Sequence, residues 1–176
     1  MKHLIIVNGT MGAGKTTVCR SLTRLLPANV FLDGDWCWDM NPFTVTEETK
    51  TMVLENIAFL LNQFLSCSSL EYVIFCWVIH QKEILSDILS RLQTENCSVL
   101  TVSLICSEEA LRLRLEKDVE AGLRTEDVIS RSVARLDCYR DFPSVKLDVS
   151  DLTPGEAAAR IAAMALSPVK NPRLCP

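Results

Sequence analysis

The chain has 176 residues, 48% of them hydrophobic and 23% charged, and a net charge of −4. That is enough apolar material for one packed domain and too much for a disordered chain. The acidic balance, without a dense block of lysine and arginine, argues against a nucleic-acid partner, and no apolar run is long enough to span a bilayer.

Met1-Lys2-His3 leads directly into Leu4-Ile5-Ile6-Val7, an apolar run that reads as a strand buried on both faces. This leaves no room for a signal peptide, so a cytoplasmic protein is expected. Next, Gly9-Thr10-Met11-Gly12-Ala13-Gly14-Lys15-Thr16 fits G-x-x-x-x-G-K-[ST], the phosphate-cradling P-loop. Its glycines let the backbone N–H groups approach phosphate oxygens, and the following helix adds the partial positive charge of its N-terminus. In this pattern Lys15 reaches the β- and γ-phosphates of ATP and the Thr16 hydroxyl holds Mg²⁺, with Thr17 next in the cofactor-binding set. Val18, Leu22, Leu25 and Leu26 recur at helical spacing until Pro27 stops the run.

A second strand is expected at Val30-Phe31-Leu32, ending in Asp33-Gly34-Asp35. Thr44 and Glu47 suit a capping box for a helix over 44–65. The nonpolar run 72–79 reads as a central parallel strand, followed by a helix over 82–92 and a strand over 98–105. Ser107 with Glu108 and Glu109 opens a helix that Gly122 breaks, and a further helix spans 125–139. A fifth strand at 145–149 precedes a final helix over 153–166, capped by Thr153 with Pro154 in its first turn. The tail 167–176 holds three prolines and is expected to be loosely held. Eight cysteines include no C-x-x-C pair, and most lie in apolar stretches, which predicts buried, reduced thiols. Alternating strands and helices predict an α/β fold, a five-stranded parallel sheet covered on both faces, in one domain over 1–166. Ligands of such sheets bind beyond the carboxyl ends of the strands, so loops 9–16, 33–43, 80–82 and 150–155 are expected to converge.

The strand 72–79 ends in His80 and Gln81 rather than an acid, which weakens a motor-ATPase reading. Asp33 and Asp35 instead stand near the ligand edge. One can position Mg²⁺ or its waters while the other accepts a proton from, or orients, an acceptor hydroxyl; as Asp-Gly residues they equally suit a solvated turn. Phe31-Leu32-Asp33-Gly34-Asp35 resembles the F-x-D-x-D element of shikimate kinases and the corresponding stretch of gluconate kinases. The resemblance implies a three-layer P-loop kinase fold, with Asp35 contacting the phosphorylated hydroxyl and Asp33 helping near the metal. The segment 36–43 matches neither family's acceptor pattern. Trp36, Trp38 and Phe43 there either line a pocket for a flat or apolar acceptor or anchor the segment against the next helix. His80 is a candidate substrate contact or a structural histidine.

Arg124-Thr-Glu-Asp127 followed by Arg135-Leu136-x-x-Tyr139 resembles the lid of adenylate kinases, here placed at about 112–135 and short. It implies that Arg124 and Arg135 neutralise the transferring phosphoryl group and that Arg114 lies by adenine. Solvated helix ion pairs are the competing role for these arginines. Together these features predict an ATP- and Mg²⁺-dependent phosphotransferase acting on a small-molecule phosphate acceptor, with catalysis by Lys15, Asp35 and Arg124. An ATP-binding regulator or weak ATPase and an antibiotic-inactivating phosphotransferase are the alternatives.

Overall fold

The apolar runs become five parallel strands: β1 Lys2–Asn8, β2 Asn29–Asp33, β3 Tyr72–Trp77, β4 Cys97–Ile105 and β5 Val145–Asp148. Their order across the sheet is β2-β3-β1-β4-β5, so the strand that feeds the P-loop is central. These details come from a computed structural model, which describes residues 1–166; the expected loose tail lies outside the described residues.

Side chains of β1 alternate between two hydrophobic layers, as a pleated strand requires. Ile5 and Val7 join a layer with Val18 and Leu22 of α1 (Lys15–Leu22), and with α4 (Glu108–Glu120), α5 (Asp127–Val133) and α7 (Pro154–Leu166). Leu4 and Ile6 join the other layer, with Val53, Ile57 and Leu61 of α2 (Glu47–Ser66) and Leu85 and Ile88 of α3 (Lys82–Ser90). A short helix, α6 (Leu136–Arg140), leads into β5. Five parallel strands with helices on both faces give the expected α/β architecture.

Several local expectations are corrected. Helix α2 starts at Glu47, capped by Thr46 rather than Thr44. The Thr46 hydroxyl accepts from Thr49 N at 3.2 Å, and the Thr49 hydroxyl accepts from Thr46 N at 2.9 Å, so a threonine takes the place expected of Glu47. The single helix expected over 125–139 is two, separated at Ala134–Arg135. Strand β2 ends at Asp33, and Gly34–Trp38 forms a 3-10 turn whose first amide, Asp35 N, donates to Asp33 Oδ1 at 3.1 Å. Asp33 therefore closes the strand and Asp35 lies in the turn beyond it. Helix α1 stops at Leu22, leaving Leu25 exposed while Leu26 reaches the core. Of the described cysteines only Cys19, Cys76 and Cys106 are buried, and Cys138 is exposed.

Candidate active site

The P-loop is anchored at its entry by two buried side chains. Asn8, fully buried at the end of β1, accepts from Gly9 N at 2.8 Å and from Ile79 N at 2.9 Å, and donates to Ile79 O at 2.8 Å. This one amide ties the loop's entry to the segment after β3. Further on, buried Thr10 donates from its hydroxyl to Ser132 O of α5 at 3.0 Å. Gly14, at φ 91°, is the N-cap of α1, and no side chain caps the helix. The first amides of α1 thus lack an internal partner and point at the site, the arrangement that binds a phosphate. Lys15 Nζ meanwhile donates to Thr10 O at 3.0 Å, folded back along the loop. Burial lowers the Lys15 ammonium from its ordinary pKa, and the carboxylates of Asp35 and Asp33 oppose that shift.

Asp33, 5% exposed, stands under the loop and accepts from the Thr16 hydroxyl at 2.6 Å. Two hard oxygen ligands side by side suit Mg²⁺, which keeps several waters and takes only one or two protein ligands beside substrate phosphates. Among the described residues no cluster of three or more His, Cys, Asp or Glu side chains is placed to hold a metal ion. Asp35 lies at the site's mouth. Surrounding protein raises its pKa, and Asp33 raises it further, against the pull of Lys15, Trp77 and Arg124.

Two cavities flank this centre. One, of about 370 Å³, is lined by Gly12, Gly14, Thr16 and Thr17 on the loop, by Arg114, Asp118 and Arg124, and by Val149, Leu152, Thr153 and Pro154 after β5. The other, of about 610 Å³, is lined by Met11, Asp35, Trp36, Trp38, Asp39, Phe43, Val45, Trp77, Val78, His80 and Arg135. The four loops expected to converge do so, but on two sides: 150–154 faces the first cavity, and 35–43 with His80 faces the second.

A family model described as an AAA domain matches residues 5–132. The chain belongs to the AAA domain family. No curated protein sequence matches this AAA-domain chain. Among solved structures, the tunicamycin resistance protein of Deinococcus radiodurans has a TM-score of 0.66 at 18% identity, covering 93% of this chain and 95% of that one. A gluconokinase of Sinorhizobium meliloti has a TM-score of 0.65 at 19% identity, covering 93% of each chain. Shikimate kinase of Acinetobacter baumannii, solved with shikimate, has a TM-score of 0.63 at 22% identity, again over 93% of each chain. The AAA-domain chain therefore has the three-layer fold of the P-loop small-molecule kinases.

Within it, the arginines divide by surroundings. Arg112 pairs with Glu108, Arg131 with Asp127 and Arg140 with Asp137, all exposed helix pairs. Arg124 lines the first cavity, held by Asp118 at 3.0 Å, with Nη1 3.8 Å from Met11 Sδ. Arg114 also lines it, with Nη2 donating to Val149 O and Ser150 O, so it fixes the loop after β5 as well as facing the cleft. Arg135 is not beside these two: it faces the second cavity with Asp35 and His80. Burial and the Arg135 charge lower the His80 pKa, and His80 Nδ1 is buried without a hydrogen-bond partner.

Asn8, Trp77, Asp118 and Ser132 are absent from the sequence-derived set. Asn8 was findable as a polar residue closing an apolar strand before the first glycine; Asp118 and Ser132 carry no local signal.

Proposed function

We propose that the chain is an ATP- and Mg²⁺-dependent phosphotransferase that passes the γ-phosphate to a hydroxyl or phosphate of a small molecule or nucleotide. One observation carries this reading: Lys15, the Thr16–Asp33 pair and Asp35 stand between two separate cavities, one for a donor and one for an acceptor. A simple ATPase has no use for the second cavity. In this reading the smaller cleft holds the nucleotide, its base bordered by Arg114 and the loop 149–154, its phosphates on the amides of residues 9–17. Lys15 turns from Thr10 O to the β- and γ-phosphates, whose charge favours its ammonium form, and Arg124 neutralises the transferring group. Thr16 and Asp33 would hold Mg²⁺, which would offset the charge of the phosphates. Asp35 orients the acceptor hydroxyl and takes its proton, with its raised pKa bringing it closer to neutral pH than an ordinary aspartate. Catalysis rests on positioning and electrostatics, as phosphoryl transfer requires.

An antibiotic alcohol is a second acceptor class within this reading, supported by the aromatic wall of the larger cavity and by the likeness to the tunicamycin resistance protein. Among the described residues no helix is long and apolar enough to cross a membrane, and a cytoplasmic site of action is part of the proposal. The test is γ-labelled ATP with Mg²⁺ and a panel of sugar acids, nucleosides, nucleotides and antibiotic alcohols. Acceptor-dependent transfer that Asp35→Ala abolishes is expected. Release of phosphate to water alone, unaccelerated by any acceptor, would instead establish the weak ATPase.

A further inference from the structure

The larger cavity has an unusual wall for a site that takes a sugar acid. The protein contains three tryptophans, Trp36, Trp38 and Trp77, and all three line it, together with Phe43 and Val45. They come from three places in the chain: the 3-10 turn after β2, the loop before α2, and the end of β3. Trp36 is 51% exposed, Phe43 68% and Val45 54%. Large apolar side chains gathered around one opening leave water against surface that a ligand can cover, whereas a scatter of single exposed residues carries no such meaning. The rings are also braced: Phe31 meets Trp36 edge-on at 5.3 Å, and Trp38 meets Phe43 at 5.8 Å. Such braced rings form a wall that loses little freedom when a ligand stacks on it.

Charge narrows the choice. The groups lining this cavity that bear charge are Asp35, Asp39 and Arg135, and His80 is the remaining titratable one. Among the described residues neither Asp39 nor Arg135 forms an ion pair. A nucleoside monophosphate would bring a dianion against two carboxylates with a single guanidinium in compensation, an unfavourable balance. A polyol acid would leave the aromatic wall uncovered and would ask for many more hydroxyl partners than one arginine, two acids and one imidazole supply. The volume, about 610 Å³, lies in the roughly 300–1,000 Å³ range of pockets for drug-sized ligands.

We infer that the acceptor is an alcohol with an aromatic or fused-ring apolar body and at most one negative charge, its body against Trp36, Trp38 and Phe43 and its hydroxyl at Asp35. This deepens the phosphotransferase reading and rests on it for the role of the hydroxyl, but the binding claim can be tested without turnover. The transfer itself forms a bond from the hydroxyl oxygen to the γ-phosphorus and breaks the bond from that phosphorus to the β–γ bridging oxygen. The hydroxyl proton passes to Asp35 and then to solvent, and ADP leaves.

Because all three tryptophans face this cavity, intrinsic fluorescence reports on it directly. The experiment titrates the full chain, free of nucleotide, with four probes: an aryl propanediol, a fused-ring aromatic alcohol, gluconate and AMP, with ATP binding measured separately by calorimetry. The aromatic alcohols are expected to give saturable quenching, with gluconate and AMP at least 10-fold weaker. Trp36→Ala and Phe43→Ala, both at exposed positions, are each expected to weaken the aromatic probes about 10-fold, in keeping with truncation of an aromatic anchor. With Mg²⁺-ATP present, the same alcohols are expected to accept phosphate, and each variant to raise their KM. Tighter binding or faster phosphorylation of gluconate or AMP overturns the inference while leaving the phosphotransferase reading intact. So does saturable binding of no probe. Saturable aromatic binding without transfer from bound ATP upholds the binding site and refutes the phosphotransferase reading instead.

Discussion

Gly12 and Gly14 occupy the same loop, and both have positive φ, at 79° and 91°, yet replacing them with alanine has different consequences. A Cβ on Gly14 meets nothing within 4 Å, whereas a Cβ on Gly12 falls 2.6 Å from Leu115 Cδ2, 2.7 Å from its Cγ and 3.0 Å from Leu111 Cδ1. Leu111 and Leu115 are fully buried on α4 and cannot step aside without disturbing the core. Gly14→Ala therefore carries only left-handed backbone strain, about 1–2 kcal/mol. Gly12→Ala adds overpacking of about 1–3 kcal/mol, for a total of about 2–5 kcal/mol. Urea unfolding without nucleotide measures both, and the gap between the two variants isolates the packing cost. A double-mutant cycle sharpens the test. On a Leu115→Ala background the site has room for the new methyl, so Gly12→Ala there should cost little more than the strain of about 1–2 kcal/mol. Equal losses for the two glycines, or a Gly12→Ala cost undiminished on that background, would refute the claim that α4 packs directly on the phosphate loop. The contact also matters for ligands, because α4 carries Arg114 and Asp118 of the smaller cleft.

Further outcomes follow from four substitutions. In the unmodified protein the acid limb of the kcat/KM profile should lie above the ordinary carboxylate range, and Asp35→Asn should abolish transfer. Stability shifts the other way. An acid with a raised folded-state pKa destabilises the fold once ionised, a deficit absent below its unfolded pKa of about 4 and growing as pH rises through the folded value. Asp35→Asn should therefore unfold at higher urea than the parent at pH 7 and match it under acid. Thr16→Val removes the hydroxyl that donates to buried Asp33, which should cost about 1–3 kcal/mol in urea unfolding and raise the Mg²⁺ concentration needed for ATP turnover. Arg124→Gln should lower kcat by about 10²–10³, the scale for losing one charge-stabilising donor. Arg112→Gln, which breaks an exposed pair with Glu108, should leave kcat alone and shift stability by less than about 0.5 kcal/mol in the same assays.

What the sequence displays clearly is whatever depends on a short contiguous pattern. The eight-residue P-loop fixes a turn, a helix start and a cation in one stretch, and the strands stand out as apolar runs because a parallel sheet buries both faces. The cap of α2 is not legible because Thr44, Thr46 and Thr49 compete within six residues, and only tertiary placement of the loop decides which hydroxyl meets the first free amide. The break at Ala134–Arg135 has no glycine or proline to announce it. Likewise, spacing along the chain cannot tell that Arg124 and Arg135 face different cavities, since a turn between two short helices swings one away from the other. Roles set by such turns are invisible to linear patterns.

The electrostatics of the free site also bear on its function. Lys15 is held where burial disfavours its charge, and Asp35 where burial and Asp33 disfavour its own. Each would be more comfortable in water, so their placement lowers stability. A triphosphate brings the negative charge that Lys15 lacks. The acceptor brings to Asp35 a hydroxyl donor that strengthens as its proton begins to leave. This electrostatic strain is thus relieved most when both ligands are present and the phosphoryl group is in transit, so it assists the reaction more than simple binding. This predicts that the two substitutions that relieve it, Asp35→Asn and Lys15→Met, should both stabilise the free protein while abolishing transfer. That pairing of gain and loss is the pattern expected of residues retained for chemistry rather than for folding.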